Sequence, residues 1–216
     1  MDIYVNILCE GPSEEHFINQ IMFPYMQQRG IYVRPVILGK HGGVSHYAQI
    51  RKELKLLGRD SSSYLTTMFD YYKLPQDVPG VRECAETEPV KIGKYIEIQM
   101  EKDLQGELQC KRYIPNIIVH EYEALLFSDP SCFSKCQGIS KAQLKKLKDT
   151  ANQYTTPEHI NNSEQTAPSK RILGIFKQYQ KVIDGTIIAN EIGMERMMER
   201  CPHFAEWVRE LVDLVN

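Results

Sequence analysis

Short apolar runs alternate with longer segments of helical spacing over the first two thirds of the chain. The apolar runs at 2–9, 31–38, 64–69 and 112–119 are rich in β-branched and aromatic residues, which is typical of buried parallel strands. Pro115 indicates that the last of them is an edge strand or bends near its start. Helices are predicted in the connections, at about 13–29, 45–57, 87–106 and 121–127.

This alternation predicts an α/β fold with a mostly parallel sheet flanked by helices. Beyond residue 138 only helical patterns continue, so we expect an α/β core over 1–138 and a helical extension over 139–216 packed on it. A polar segment, 152–169, is too long to be a passive connector. The helices predicted in the extension are 140–151, 170–183 and 203–215.

Composition and charge exclude several classes of protein. Hydrophobic residues make up 42% of the chain and charged residues 25%, as in ordinary globular proteins. No apolar run approaches the roughly 20 residues of a membrane helix, and the first residues do not form a secretion signal. The net charge of −2 does not indicate a broad basic face for duplex DNA. The six cysteines include no CxxC pair, so we expect a cytoplasmic protein with reduced thiols and no structural zinc.

Acidic residues follow three of the predicted strands. Glu10 comes after the first strand, Asp70 ends the third, and Glu121 and Glu123 come after the fourth. In an open α/β sheet, ligands bind beyond the carboxyl ends of the strands. Carboxylates gathered there would repel one another unless a cation binds, and Mg²⁺ prefers carboxylate oxygen. The sequence therefore predicts a divalent metal site at this edge.

Each acid also has a purely structural explanation. Asp70 is a suitable cap for the turn that follows it. Glu121 and Glu123 are suited to the first turn of a helix, and Glu14 to the positive end of the helix dipole. The shared position directly after a strand is what favours the metal site.

A phosphate substrate would need cationic or amide donors near these acids. Lys170 and Arg171 follow Pro168 at the start of a predicted helix, where an anion is favoured. Lys40 and His41 lie in a glycine-rich loop after the second strand, at the same predicted edge of the sheet. These four residues are the predicted phosphate ligands, although a solvated helix face equally explains the first two.

The segment from Glu10 to Glu14 resembles the glutamate motif of Toprim domains, which occur in topoisomerases, primases and OLD-type nucleases. Glu14 matches a second glutamate of the OLD-like members. Asp70 stands where Toprim domains carry Asp-x-Asp, but Tyr72 replaces the second aspartate. The chain as a whole resembles the bacterial family called domain of unknown function 4276, through CEGPSEEHF, TTMFDYYKLPQDVPG, HEYEALLFSD, TAPSKRI and CPHFAEWV.

This resemblance implies a Toprim-like (Rossmann-like) fold and a nuclease or phosphotransferase that uses Mg²⁺ or Mn²⁺. Nucleic acid is the implied substrate, DNA rather than RNA, and an ATPase partner in phage defence or a mobile element is the implied setting. A homodimer is left open, as is the choice between one and two metal ions. The implied catalytic residues are Glu10, Asp70 and Lys170, and the implied metal ligands are Glu10, Glu14, Asp70, Glu121 and Glu123.

Two other functions are compatible with the same residues. Because Tyr72 replaces the second aspartate, the chain could instead be an interaction subunit that keeps the fold but has lost full catalysis. The same carboxylates would also serve a small-nucleotide phosphohydrolase.

Overall fold

A parallel five-stranded sheet forms the centre of the molecule in a computed structural model that describes residues 2–39, 45–161 and 164–215. The strand order is β2-β1-β3-β4, with β5 pairing with β3 beyond the end of β4, and every pair is parallel. The predicted mostly parallel α/β architecture is therefore confirmed. The strands are β1 (Ile3–Cys9), β2 (Ile31–Ile37), β3 (Tyr64–Asp70), β4 (Tyr113–Ile114) and β5 (Ile117–Ile118).

Helices cover both faces of this sheet. The α-helices are α1 (Pro12–Phe17), α2 (Phe23–Gln27), α3 (Tyr47–Leu57), α4 (Pro89–Leu104), α5 (Glu123–Leu126), α6 (Lys141–Ala151), α7 (Pro168–Ile175), α8 (Lys181–Arg200) and α9 (Pro202–Val212). Short 3₁₀ turns lie at Tyr71–Lys73, Pro130–Lys135, Pro157–His159, Glu164–Thr166 and Asp213–Val215.

Alternate residues of the buried strands point into two separate hydrophobic layers, as the period of a strand requires. Val5 and Ile7 of β1 face the layer shared with α1, α8 and α9. Leu8 of β1 and Phe69 of β3 face the opposite layer, beneath α3 and α4. The sheet is thus buried on both sides, which explains why its strands read as continuous apolar runs.

The first helix changes its winding halfway along. The expected helix over 13–29 is α1 followed by a π-helical turn, Ile18–Met22, and then α2. In the wider turn the N–H of Phe23 donates to the carbonyl of Ile18, five residues earlier, and Pro24, which has no N–H to donate, follows directly.

The fourth predicted strand, 112–119, is wrong as a single strand, because it is divided into β4 and β5 around Pro115 and Asn116. Two threonine hydroxyls of β3 replace the missing ladder bonds. Thr66 donates to the carbonyl of Ile114, and Thr67 both donates to the carbonyl of Asn116 (2.9 Å) and accepts from its N–H (2.8 Å). The hydroxyls of Thr66 and Thr67 therefore stabilise the interruption of the edge strand at the proline.

The helix predicted over 170–183 is also wrong, because α7 ends at Ile175 and α8 begins at Lys181. Ile172, Phe176 and Tyr179 are buried and have the spacing of one helical face. However, Phe176 has non-helical φ −124° and ψ 87°, and the N–H of Tyr179 donates to its carbonyl at 3.1 Å, so the two aromatic rings reach the core from a tight turn. Helical spacing of buried residues therefore misplaced this boundary.

Most of α8 has no counterpart among the predicted helices. Its sequence includes Gly185 and Gly193, which weaken a helical pattern. Gly193 has φ 74° and ψ 160°, a conformation that favours glycine, and it kinks the helix there.

The C-terminal helix α9 is fastened to the central strand. Phe204 packs edge-on against Phe17 of α1, with ring centroids 6.1 Å apart. The indole Nε1–H of Trp207 donates to the hydroxyl of Thr66 on β3 at 2.8 Å, inside the core. Residues of the expected extension therefore share one hydrophobic layer with the expected α/β core.

Within the described part of the chain, no helix has the length and apolar content needed to cross a membrane.

The Thr66→Val substitution should destabilise the fold, because it leaves the buried Trp207 N–H without an acceptor. We expect a loss of about 1–3 kcal/mol in the free energy of unfolding, measured by urea titration and far-UV circular dichroism. Thr150→Val is the matched control, since among the described residues its hydroxyl bonds only to the Lys146 carbonyl one turn earlier on the same helix, and it should change stability by less than about 0.5 kcal/mol. Equal losses in the two variants would contradict the role given to Thr66.

Candidate functional site at the carboxyl edge of the sheet

Four carboxylates meet where three parallel strands end. Glu10 directly follows β1, Asp70 is the last residue of β3, and Glu123 opens α5 shortly after β5. Glu14 joins them from the first turn of α1. The side chains of Asp70 and Glu123 are completely buried, and those of Glu10 and Glu14 nearly so. The sheet thus brings together acids that lie up to 113 positions apart in the sequence.

Backbone amides fix two of these carboxylates in place. The N–H of Asp70 donates to Oε1 of Glu10 at 2.9 Å, so the glutamate side chain bridges β1 and β3 at their ends. Oδ1 of Asp70 in turn accepts the N–H of Tyr122 at 2.8 Å. The carboxylates therefore also hold the strand ends and the start of α5 in register.

Two lysines lie among the acids. Nζ of Lys73 is 2.9 Å from Oδ2 of Asp70 and 3.5 Å from Oε2 of Glu10. Lys73 ends the 3₁₀ turn that follows β3, and because such a turn has three residues, it returns the side chain over Asp70.

The second lysine, Lys181, is the first residue of α8. Its Nζ lies 3.1 Å from Oε2 of Glu123, 3.8 Å from Oδ2 of Asp70 and 4.0 Å from Oε1 of Glu14. Oδ2 of Asp70 is therefore shared by the two ammonium groups.

Sequence reasoning missed both lysines. The spacing of Lys73, three residues after Asp70 in a predicted turn, was a usable signal. No such signal exists for Lys181, whose position at a helix start was hidden inside the predicted helix 170–183.

Burial and crowding raise the pKa of three of these acids, Glu10, Glu14 and Glu123. The pKa of Glu10 rises to about 8, through burial first and the charge of Asp70 second. Burial also raises the pKa of Glu123 to about 7, although Lys181 opposes the shift, and it raises the pKa of Glu14 with a further contribution from Asp70. For Lys73 and Lys181, burial lowers the pKa, but the surrounding carboxylates outweigh it and the net shift is upward. Both lysines are therefore charged at neutral pH.

The donor set fits a hard divalent cation. Oε1 of Glu14 and Oε1 of Glu123 are buried and accept no hydrogen bond from any described residue. Carboxylate oxygens of this kind are the ligands that Mg²⁺ and Mn²⁺ prefer. With the lysines between them, the described acids do not form a ready-made cluster of three metal ligands. A metal ion at this place would therefore have to displace an ammonium group or bind beside it.

Glu121, another predicted metal ligand, is buried but oriented differently. Its Oε2 accepts the N–H of Ser169 at 2.9 Å, in the first turn of α7. It is close enough to Glu123 to add to the rise in that residue's pKa. The observed contact of Glu121 is thus with the start of α7.

The predicted phosphate ligands are dispersed or lie outside the described residues. Lys170 is exposed on the first turn of α7. Arg171 donates to the carbonyl of Thr166 at 2.8 Å and to the hydroxyl of Tyr154 at 2.9 Å, so it braces the preceding segment. Lys40 and His41 fall outside the residues that the structure describes.

Tyr72, which replaces the expected second aspartate, is directed away from the acids. Its ring stacks on His120 at a centroid distance of 5.3 Å, and its hydroxyl accepts a hydrogen bond from Asn161. His120 has φ 66°, a left-handed conformation that is uncommon for histidine, and burial lowers its pKa to about 4. This neutral histidine turns the chain from β5 towards Glu121 and Glu123.

Comparison with solved structures confirms the expected fold class, a parallel sheet flanked by helices with a helical C-terminal region. The structure is similar to the C-terminal region of the Burkholderia pseudomallei OLD protein, with a TM-score of 0.52, 15% identity and 100% coverage of both chains. It also matches the C-terminal region of the Xanthomonas campestris pv. campestris OLD protein, with a TM-score of 0.45, 14% identity and coverage of 97% and 94%.

The chain belongs to the family described as Domain of unknown function (DUF4276), which matches residues 9–212. This match includes the four clustered acids and both lysines, and it confirms the family resemblance found in the sequence. No curated protein matches the sequence.

In the absence of divalent ions, the protein should lose stability as the pH rises from about 5 to 8. Glu10 and Glu123 have pKa values raised from 4.5 to about 8 and about 7. Between those values and 4.5 the folded state binds more protons than the unfolded state, so the free energy of unfolding falls as pH rises. Urea unfolding at a series of pH values measures this slope.

Glu10→Gln should flatten that slope, because the amide does not ionise. Glu15→Gln, one residue beyond Glu14 on α1, is the control and should keep the wild-type slope. An unchanged slope in Glu10→Gln would show that Glu10 does not titrate in this range.

Proposed function

We propose that the chain is a Mg²⁺-dependent nuclease, acting on nucleic acid by cleavage of a phosphodiester. The observation that carries this proposal is the convergence of Glu10, Glu14, Asp70 and Glu123 at the carboxyl edge of the sheet, with two lysines among them. Oxygen ligands and fixed positive charges in one place are what phosphoryl chemistry requires.

In this proposal the clustered acids bind the metal ion and the lysines face the phosphate. Glu14, Asp70 and Glu123 would hold Mg²⁺ or Mn²⁺, with Glu10 as a further ligand or as the general acid/base. The ion supplies neutralisation of phosphate charge and activation of a water molecule. Lys73 and Lys181, held among the acids, would add positive charge next to the phosphate.

Phosphate contacts outside the cluster stay predictions. Lys170 is on the exposed first turn of α7, where a helix start favours an anion. Lys40, His41 and Arg171 complete the set of predicted phosphate ligands. For Arg171, binding phosphate would require it to leave Thr166 and Tyr154.

DNA is the substrate we favour, with a partner protein supplying part of the affinity. A net charge of −2 indicates little general attraction to a polyanion. The structural relative in Burkholderia pseudomallei is the C-terminal region of a larger OLD protein, which supports the idea that this fold works alongside another unit. An ATPase partner in phage defence or a mobile element is the setting that we propose.

A catalytically reduced interaction subunit is the second candidate. Two observations favour it: Tyr72 replaces an acid, and the acids that remain are already paired with lysines. Absence of divalent-ion binding together with tight binding to an ATPase would support this function over the first.

Purified protein should cleave DNA in the presence of Mg²⁺ or Mn²⁺, and Glu10→Gln or Asp70→Asn should reduce the rate at least about 100-fold. Single-stranded and duplex DNA, RNA and free nucleotides should be assayed in parallel, so that a nucleotide phosphohydrolase would be recognised by its substrate. Glu15→Gln is the control and should retain wild-type activity. Equal cleavage by wild type and both site variants would place the activity elsewhere.

A further inference from the structure

The turn after β3 brings a lysine, Lys73, to the site where a second acid would be expected. An Asp-x-Asp motif supplies two acids, two residues apart, to one site. Here the chain enters a 3₁₀ turn directly after Asp70. Residue 72 is therefore rotated away, against His120, and residue 73 comes back over Asp70. The motif thus delivers one acid and one cation.

The ammonium group of Lys73 makes the contacts that a cation would make. It lies between Oδ2 of Asp70 and Oε2 of Glu10, two carboxylates with buried side chains. Oδ2 of Asp70 is the oxygen that Lys181 also approaches, from the side of Glu14 and Glu123. The cluster therefore has two cation positions that share one oxygen of Asp70.

Charge balance separates these two positions. Glu10, Glu14, Asp70 and Glu123 carry four negative charges when ionised, and the two lysines carry two positive ones, which leaves a formal charge of −2. One divalent ion neutralises this charge, whereas two ions would leave an excess of +2 in a buried site. Such an excess is costly where the surroundings are poorly solvated.

The oxygens without hydrogen-bond donors show where that one ion would bind. Oε1 of Glu14 and Oε1 of Glu123 are both on the side of Lys181. Lys181 opens α8 after an irregular connection and about a third of its side chain is exposed, so it can shift and leave room for an ion beside it while its charge stays in the cluster. On the other side of the cluster, Oδ2 of Asp70 and Oε2 of Glu10 already form ion pairs with Lys73.

We infer that Lys73 takes the place of a second divalent cation, so that this site binds a single divalent ion held by Glu14, Asp70 and Glu123. This inference rests on the proposed function, because it assumes that the site binds metal at all. It assigns Lys73 as a positioning residue that keeps Glu10 and Asp70 together without a second ion.

The number of Mn²⁺ ions bound per chain tests this inference without measuring activity. Free Mn²⁺ is followed by electron paramagnetic resonance during titration of the full chain up to millimolar concentrations. Wild type should bind one ion. Lys73→Met should bind two, because Glu10 and Asp70 then face each other without a cation, whereas Lys73→Arg, which keeps the charge, should bind one.

Lys135→Met is the matched control, since it removes a lysine from an exposed ion pair with Glu191 that involves none of the four clustered acids. This variant should bind one ion. Circular dichroism checks that each variant is folded, and Lys73→Gln replaces Lys73→Met if the latter does not fold. Lys73→Met should also gain more thermal stability from Mn²⁺ than wild type does.

Several outcomes would overturn the inference. Two ions in wild type would remove the role of Lys73 while leaving a metal-dependent nuclease intact. One ion in folded Lys73→Met and Lys73→Gln would show that the lysine does not occupy a cation position. No bound ion in any variant would overturn both the inference and the proposed metal dependence.

Discussion

Burial of mutually repelling carboxylates is the constraint on which this structure depends. Four of them are packed into one edge of the sheet, and the buried charge is tolerated because Lys73 and Lys181 lie within ion-pair distance. The upward shifts in the pKa of Glu10, Glu14 and Glu123 show that this compensation is incomplete. A divalent cation bound at this edge would stabilise the ionised forms of these buried acids and lower their pKa.

The fold supplies each half of this arrangement by a different route. Parallel strands bring Glu10 and Asp70 together because their carboxyl ends lie at one edge. The cation Lys181 comes from α8. Tyr122 connects α8 to the same site, because the N–H of Tyr122 donates to Asp70 and its hydroxyl donates to the carbonyl of Gly185 on α8 at 3.3 Å. Strand geometry thus positions the acids, and helix packing positions one of their counter-charges.

The sequence predicted the acids better than it predicted their partners. Strand ends follow from local apolar pattern and turn residues, so the positions of Glu10 and Asp70 at one edge could be read directly. The partners depend on tertiary packing: the approach of Lys181 requires the break between α7 and α8, which the spacing of Ile172, Phe176 and Tyr179 conceals. Likewise, the division of the fourth strand is stabilised by hydroxyls of β3, which no pattern within residues 112–119 reveals.

The late position of Lys181 in the chain has a consequence for biosynthesis. A ribosome makes all four clustered acids before residue 124, so they are synthesised well before the lysine that approaches three of them. A nascent chain that has formed the sheet but not α8 therefore has Lys73 but not Lys181 to offset the crowded charge. Protons or cellular cations must offset the remaining charge until α8 has been made and Lys181 can approach the acids.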